Sequence, residues 1–439
     1  MNRRAFAKVL LTSSAWLSPL VRSALADTAA PSLDPGLAKE VDAVLQKEFF
    51  IDNGWVDRFT PYGNQPPPKF DPVRLRKVVG GGVLGTGGPN SRLPTFLPKN
   101  SLMRTQKDYV VRTMTGNRHI FDGPTTVERM LGEFELIHRA VEAHPTEAGL
   151  AVTAREMEAI MRAGKLAVVI GVDNGSQIDS NLMVLEEYYR LGMRRLSLVC
   201  EDPPPWAECA WSETGQGLHP FGRDVVAECN RLGIMVDVSH SSDLTFWGAV
   251  KCCKRPITAS HSGARGVSRL SRNLTDEMLK AVADTGGIIG VAGVLDQKSV
   301  ERWKASGLYN NLLMEALWME KKYPEQHELA AAWETPEKHR EARQALGLPE
   351  IPESSMYGTV GLARTRADAT LEQLDYIVRR IGFDYVGIGT DHGTNADDYP
   401  ELIRLITGGL IQRRYSEEQI RKVLNGNFLR VFQANEAVV

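Results

Sequence analysis

Two histidines at the ends of short apolar runs are the residues best placed to do chemistry. One run, Ile234 to His240, reads Ile-Met-Val-Asp-Val-Ser-His; the other, Pro256 to Ser262, reads Pro-Ile-Thr-Ala-Ser-His-Ser and carries His261. β-Branched, apolar runs of this length are expected of strands buried on both faces of a parallel sheet. Residues 241–254 between them suffice for one crossover helix, which makes a βαβ unit and brings both strand ends to one rim. Two imidazoles side by side there can share a Zn²⁺ ion, which takes ring nitrogen at ~2.0–2.1 Å. A pair of histidines serving only as helix caps is the competing reading.

Other strand ends supply acids. Reading the chain for C-terminal strand positions gives Asp52 or Asp57, Asp173, Cys200 and Asp391 beside the two histidines. Imidazoles and carboxylates on one rim make a hydrolytic metal site, because a metal acidifies water and polarises a carbonyl. A carboxylate left off the metal can carry a proton to the leaving amine.

The elements needed to position these groups follow from periodicity. Expected strands lie near residues 48–52, 79–84, 166–172, 196–200, 234–240, 256–262, 287–292 and 384–389, with helices over 125–144, 153–164, 182–191, 224–232 and 275–285. Eight strands alternating with helices predict an α/β (β/α)8 barrel of the TIM type, a fold that places catalytic groups at the C-terminal strand ends. An open doubly wound sheet is the alternative, although no Gly-x-Gly-x-x-Gly opens a helix. Residues 297–365 are charged and helix-forming and read as a helical insertion between strands 7 and 8, serving as a lid, a dimer contact or a solvated excursion.

Composition excludes several classes. A formal net charge of −2 over 439 residues gives no electrostatic case for nucleic acid or anionic lipid. Asn2 to Lys8 contains Arg3-Arg4, a moderately apolar run follows, and Ala24-Leu25-Ala26 supplies small residues for cleavage. Residues 1–26 therefore read as a twin-arginine-type signal peptide, with a single domain over 27–439 and a periplasmic destination. The apolar run is too short for a membrane span. The cysteines Cys200, Cys209, Cys229, Cys252 and Cys253 lack Cys-x-x-Cys spacing, so a thiolate zinc site is not expected.

Several motifs together resemble one family. Gly222-Arg223-Asp224-Val225-Val226, Asn230-Arg231-Leu232-Gly233, Val236-Asp237-Val238-Ser239-His240, Ser260-His261-Ser262, Arg272-Asn273-Leu274-Thr275-Asp276 and Gly426 to Phe432 are similar to the membrane (renal) dipeptidases, peptidase family M19. The resemblance runs from about Thr125 to the C-terminus apart from the insertion. It implies a zinc-dependent dipeptidase in a (β/α)8 barrel with two ions. By motif, His240 and His261 fall on the second ion's histidines, and Asp173 on the bridging glutamate. Arg272 falls on the arginine that holds the substrate carboxylate, and Asp391 on the proton shuttle.

The departures are as informative. The family's Asp-Gly-His-x-Asp reads Asn53-Gly54-Trp55-Val56-Asp57, so tryptophan replaces a first-ion histidine. Asp173 is one methylene shorter than glutamate, and Cys200 stands where the family has a histidine that steadies the tetrahedral intermediate. The expected site thus holds one Zn²⁺ rather than two, on His240, His261 and Asp173, with Asp57 near it. Arg272, Cys200 and Trp55 would meet the substrate. The expected activity is hydrolysis of a dipeptide or related small amide, with a homodimer left open. The alternative is a weakened homologue serving in binding or maturation of a peptide-derived natural product such as a siderophore.

Overall fold

The computed structural model describes residues 33–53, 56–57, 82–87, 126–200, 203–210, 214–268, 270–293, 363–391 and 399–437. The leader, Trp55 and nearly all of the 297–365 insertion lie outside these residues.

Ten strands form one parallel sheet: β1 Ile51–Asp52, β2 Val56–Asp57, β3 Gly82–Gly87, β4 Ala148–Leu150, β5 Leu166–Asp173, β6 Met193–Ser197, β7 Met235–Asp237, β8 Thr258–Ser262, β9 Ile288–Val291 and β10 Val386–Ile388. The pairings run from β1 through β3 to β5, onward in order to β10, and β10 pairs with β1. The result is an α/β fold whose parallel sheet curls in the TIM-like manner. β2 and β4 are additions, pairing with β3 and β5 respectively.

Local chemistry sets the element ends. Thr153 caps the helix Ala154–Arg162 with a reciprocal capping box to Glu156. Pro220 opens the helix Pro220–Leu232, and Gly233, at φ 82°, closes it in the left-handed conformation. The crossover between the histidine strands is the helix Asp243–Cys252, capped by Ser242.

One expected strand shifts. β6 ends at Ser197, three residues before Cys200, and β3 begins at Gly82. For β6 the apolar run extends past the end of the strand; residues 79–81 of the other expected strand lie outside those described. β2, β4 and the long helix Ala363–Ile381 were not expected from periodicity.

The inside of the sheet departs from the usual filling of branched aliphatics. Glycines at 171, 290, 387 and 389 leave room, and large polar groups occupy it. A methyl group on Gly171 would stand 2.8 Å from Arg195 Nε, and one on Gly387 would collide with the Asn53 amide. Arg195 and Asn53 are both buried.

Candidate active site

β7 and β8 deliver the two histidines to one point. His240 Nε2 and His261 Nε2 are 2.8 Å apart, with the rings tilted at 63°. Both residues are buried.

Each histidine is held by an irregularity. His240 has φ 67°, a left-handed conformation unusual for a residue with a side chain. A loop clamps it there: Ala210 N donates to His240 O at 2.8 Å, Ser242 N donates to Glu208 O at 2.9 Å, and Cys209 bridges Ser241. The Glu208 carboxylate in turn ties the loop by accepting from the amides of Thr214 and Gln216 at 3.0 and 3.1 Å. Burial raises the Glu208 pKa, but these hydrogen bonds and those from the Thr214 hydroxyl and Gly217 amide outweigh it and hold the group below its ordinary value.

His261 sits on a β-bulge. The register passes from Ala259↔Ile289 to Ser262↔Val291, so β8 carries one residue more than β9. The amides released by the bulge find side chains: Ser260 N donates to Asp237 Oδ1 at 2.9 Å and His261 N to Ser239 Oγ at 3.1 Å. The Ser260 carbonyl is turned inward, where a methyl group on either Gly290 or Gly389 would collide with it.

Beneath the imidazoles lies a charged layer. Asp173, Asp237 and His261 each bring a ligand atom within 4.8 Å of the other two. Asp237, however, has no capacity left. Its Oδ1 accepts from the amides of Ser239 and Ser260 at 3.0 and 2.9 Å. Its Oδ2 accepts from Arg195 Nη1 and from Ser260 Oγ at 2.5 Å, and lies 2.7 Å from Ser197 Oγ, whose single proton serves either this oxygen or Asp173. Burial pushes the Asp237 carboxyl up, yet the Arg195 charge and the Ser260 hydrogen bonds prevail and hold it well below the usual carboxylate range. Asp237 is thus the counter-ion of Arg195 and not an available metal ligand.

Asp173, at the end of β5, accepts from Ser197 Oγ through Oδ1 at 2.6 Å and stands 3.7 Å from Arg195 Nη1. Arg272 is buried, donating from Nη1 to Ser262 Oγ at 3.1 Å and from Nη2 to His261 O at 2.8 Å. Burial lowers its pKa, against the opposing pull of Asp391, Cys200, Asp237 and Asp173. Among the described residues no carboxylate makes an ion pair with Arg272, and its Nε has no hydrogen-bond partner. Cys200 Sγ lies 3.9 Å from His240 Nε2, so the thiol belongs to the site although it stands past the end of its strand.

Asp391 follows β10 at φ 52° and is half-buried. Thr390, before it, is fixed by Asp52, which accepts from its amide at 3.0 Å and from its hydroxyl. Asp57 is the last residue of β2, paired with Gly87.

Of the residues singled out in the sequence, the structure brings His240, His261 and Cys200 together, with Asp173 near His261 and Arg272 bonded to the His261 carbonyl; Arg195, Ser197, Asp237 and Ser260 were not singled out. A signal for the first two existed. Alternation puts Arg195 and Ser197 on one face of β6, and an arginine facing the interior of a parallel sheet needs a buried partner.

The donor set suits one divalent ion. Ligands at ~2.0–2.1 Å from a tetrahedral ion stand roughly 3.3 Å apart, so the imidazole nitrogens need separate by only about half an ångström. Asp173 has a second oxygen to offer.

The family model described as "Membrane dipeptidase (Peptidase family M19)" matches residues 93–439. Human "Dipeptidase 3" is 30% identical over 332 residues, 72% of this chain and 53% of that protein, so the chain spans about half the length of this relative. The crystal structure of the probable dipeptidase PvdM from Pseudomonas aeruginosa superimposes with a TM-score of 0.66 at 20% identity, covering 92% of this chain and 99% of the other. A metallo peptidase from Rhodobacter sphaeroides, liganded with a phosphinate mimic of the dipeptide L-Ala-D-Ala, gives a TM-score of 0.56 at 19% identity over 88% and 99% of the two chains. At these identities the two structures speak for the fold.

Proposed function

Because the chain belongs to the membrane dipeptidase family, peptidase family M19, we propose that it is a metal-dependent hydrolase. Its substrate in this reading is a dipeptide or a related small amide with a free carboxylate, and its site holds a single Zn²⁺ ion. His240 Nε2, His261 Nε2 and Asp173 would hold the ion. When bound, it supplies acidified water and a polarised scissile carbonyl.

The remaining work falls to this chain's own side chains. Arg272 anchors the substrate carboxylate, a task for which a guanidinium fork is suited. Asp391 moves the proton to the leaving amine. Cys200, a weaker donor than an imidazolium, contributes less to stabilising the tetrahedral oxygen than the family's histidine would. Asp57 and Trp55 are proposed to border the substrate end of the site. The protein is proposed to act in the periplasm after export through its twin-arginine leader.

The observation that carries this reading is the buried Arg272 cation, with no carboxylate ion pair among the described residues, beside two converging imidazoles. A weakened homologue kept only for binding or maturation is the poorer reading. Such a protein would need Arg272 but not the imidazole pair or the left-handed backbone at His240 and Asp391.

The test is turnover of unblocked dipeptides and their C-terminally amidated counterparts with Zn²⁺ added. Unblocked substrates should be hydrolysed, and Arg272→Ala should raise their KM by about 10-fold or more, as loss of a charge-assisted hydrogen bond implies. The amidated series should be poor and indifferent to the substitution. No hydrolysis of any free dipeptide would remove the proposal.

A further inference from the structure

The hydroxyl of Ser260 has neighbours that leave it only one arrangement. It lies 2.7 Å from Arg195 Nη1, 2.5 Å from Asp237 Oδ2 and 2.8 Å from His261 Nδ1. A hydroxyl has one proton and two lone pairs; a guanidinium only donates, and a carboxylate only accepts. The Ser260 proton therefore goes to Asp237, and one lone pair receives Arg195. The remaining lone pair faces His261 Nδ1, which must then carry its proton. In the neutral imidazole His261 Nε2 is then bare, and the proton between it and His240 Nε2, 2.8 Å away, belongs to His240.

Arg195 is the origin of this chain of constraints. Its side chain and that of Asp237 are both 0% exposed, and Nη1 touches Asp237, Ser260 and Ser197 while standing 3.7 Å from Asp173 Oδ1. Gly171 makes the space, since a methyl group there would meet Arg195 Nε at 2.8 Å.

We propose that Arg195 is a positioning residue and the built-in cation of the site. Through Asp237 and Ser260 it fixes His261 as the Nδ1–H tautomer, and beside Ser197 it holds one oxygen of Asp173. Two of the three metal-binding groups are thereby aimed before any ion arrives. This rests on the reading that His240, His261 and Asp173 take a metal ion, and it adds residues outside that ligand set.

The test separates the two claims. Histidine-ring ¹⁵N spectra of the metal-free full-length chain report the His261 tautomer directly, with the resonance assigned by its loss in His261→Gln. The wild type should show Nδ1–H with Nε2 bare. Ser260→Ala, which leaves the Arg195–Asp237 pair intact, should mix the tautomers. It should also weaken Zn²⁺ binding, measured by chelator competition, by about 10- to 100-fold, the usual cost of removing a group that orients a ligand histidine. Gly171→Ala, which displaces the guanidinium, should do the same, and retained near-ultraviolet dichroism confirms that each variant is folded. An Nε2–H tautomer in the wild type, or unchanged tautomer and affinity in a folded Ser260→Ala, overturns the proposal. Should the wild type bind no Zn²⁺, the ligand assignment falls, while the tautomer spectrum still decides the role of Arg195 and Ser260.

Discussion

Asp237 shows how one side chain can be read wrongly from its type alone. A carboxylate within 4.8 Å of a histidine and a second aspartate has the look of a ligand, yet hydrogen bonds from Arg195, the Ser239 and Ser260 amides and the Ser260 hydroxyl occupy it. Its partner Arg195 is fully buried, so removing the charge of Asp237 strands a cation in the interior. Asp237→Asn should therefore lower stability by about 3–5 kcal/mol, read as a shifted denaturant midpoint at unchanged slope. A loss under about 1 kcal/mol would show that the pair is not the buried ion pair described. Protonation acts in the same direction as the substitution. The folded pKa is depressed, so the stabilisation is complete above the ordinary carboxylate value and is lost as pH falls toward the folded one.

At the scale of the element, β8 is the part that makes the site. Its extra residue turns His261 toward His240, and the freed amides are satisfied by Asp237, the last residue of β7, and by Ser239 just beyond it. The inward Ser260 carbonyl is tolerated only because Gly290 and Gly389 have no side chains. Gly389→Ala should push β8 back and weaken Zn²⁺ binding by roughly 10-fold or more, on the scale of losing a ligand's orienting contacts. Chelator competition measures this, and wild-type affinity in the variant would mean that the bulge does not position His261. On β7, the loop through Glu208 performs the equivalent task, holding His240 in its left-handed backbone.

Over the whole molecule, the sequence was most legible where apolar runs end. Periodicity placed most of the circuit's strands close to their positions and β6 three residues late, while residues 79–81 of the strand expected before β3's Gly82 lie outside those described. The strand ends then pointed to His240, His261, Asp173 and Asp391. Cys200 was placed at a strand end that the structure puts at Ser197, yet it still reaches His240. The charged layer was not legible because its members lie far apart in the chain, 65 residues in the case of Arg195 and Ser260, and hydroxyls within a strand look like ordinary strand residues. The polar interior could have been suspected from Arg195 and from the glycines of β5, β9 and β10, which leave a volume that something must fill. Strain is gathered at the same rim: Asn174, His240 and Asp391, each just past the end of a strand, all have positive φ.

The account turns on how many ions the site takes. Elemental analysis of the purified full-length protein measures this most directly, set beside a His240→Ala, His261→Ala double variant. One equivalent of zinc per chain in the wild type, and essentially none in the double variant, is the predicted result. Two equivalents per chain, or one equivalent persisting without the histidines, would contradict it.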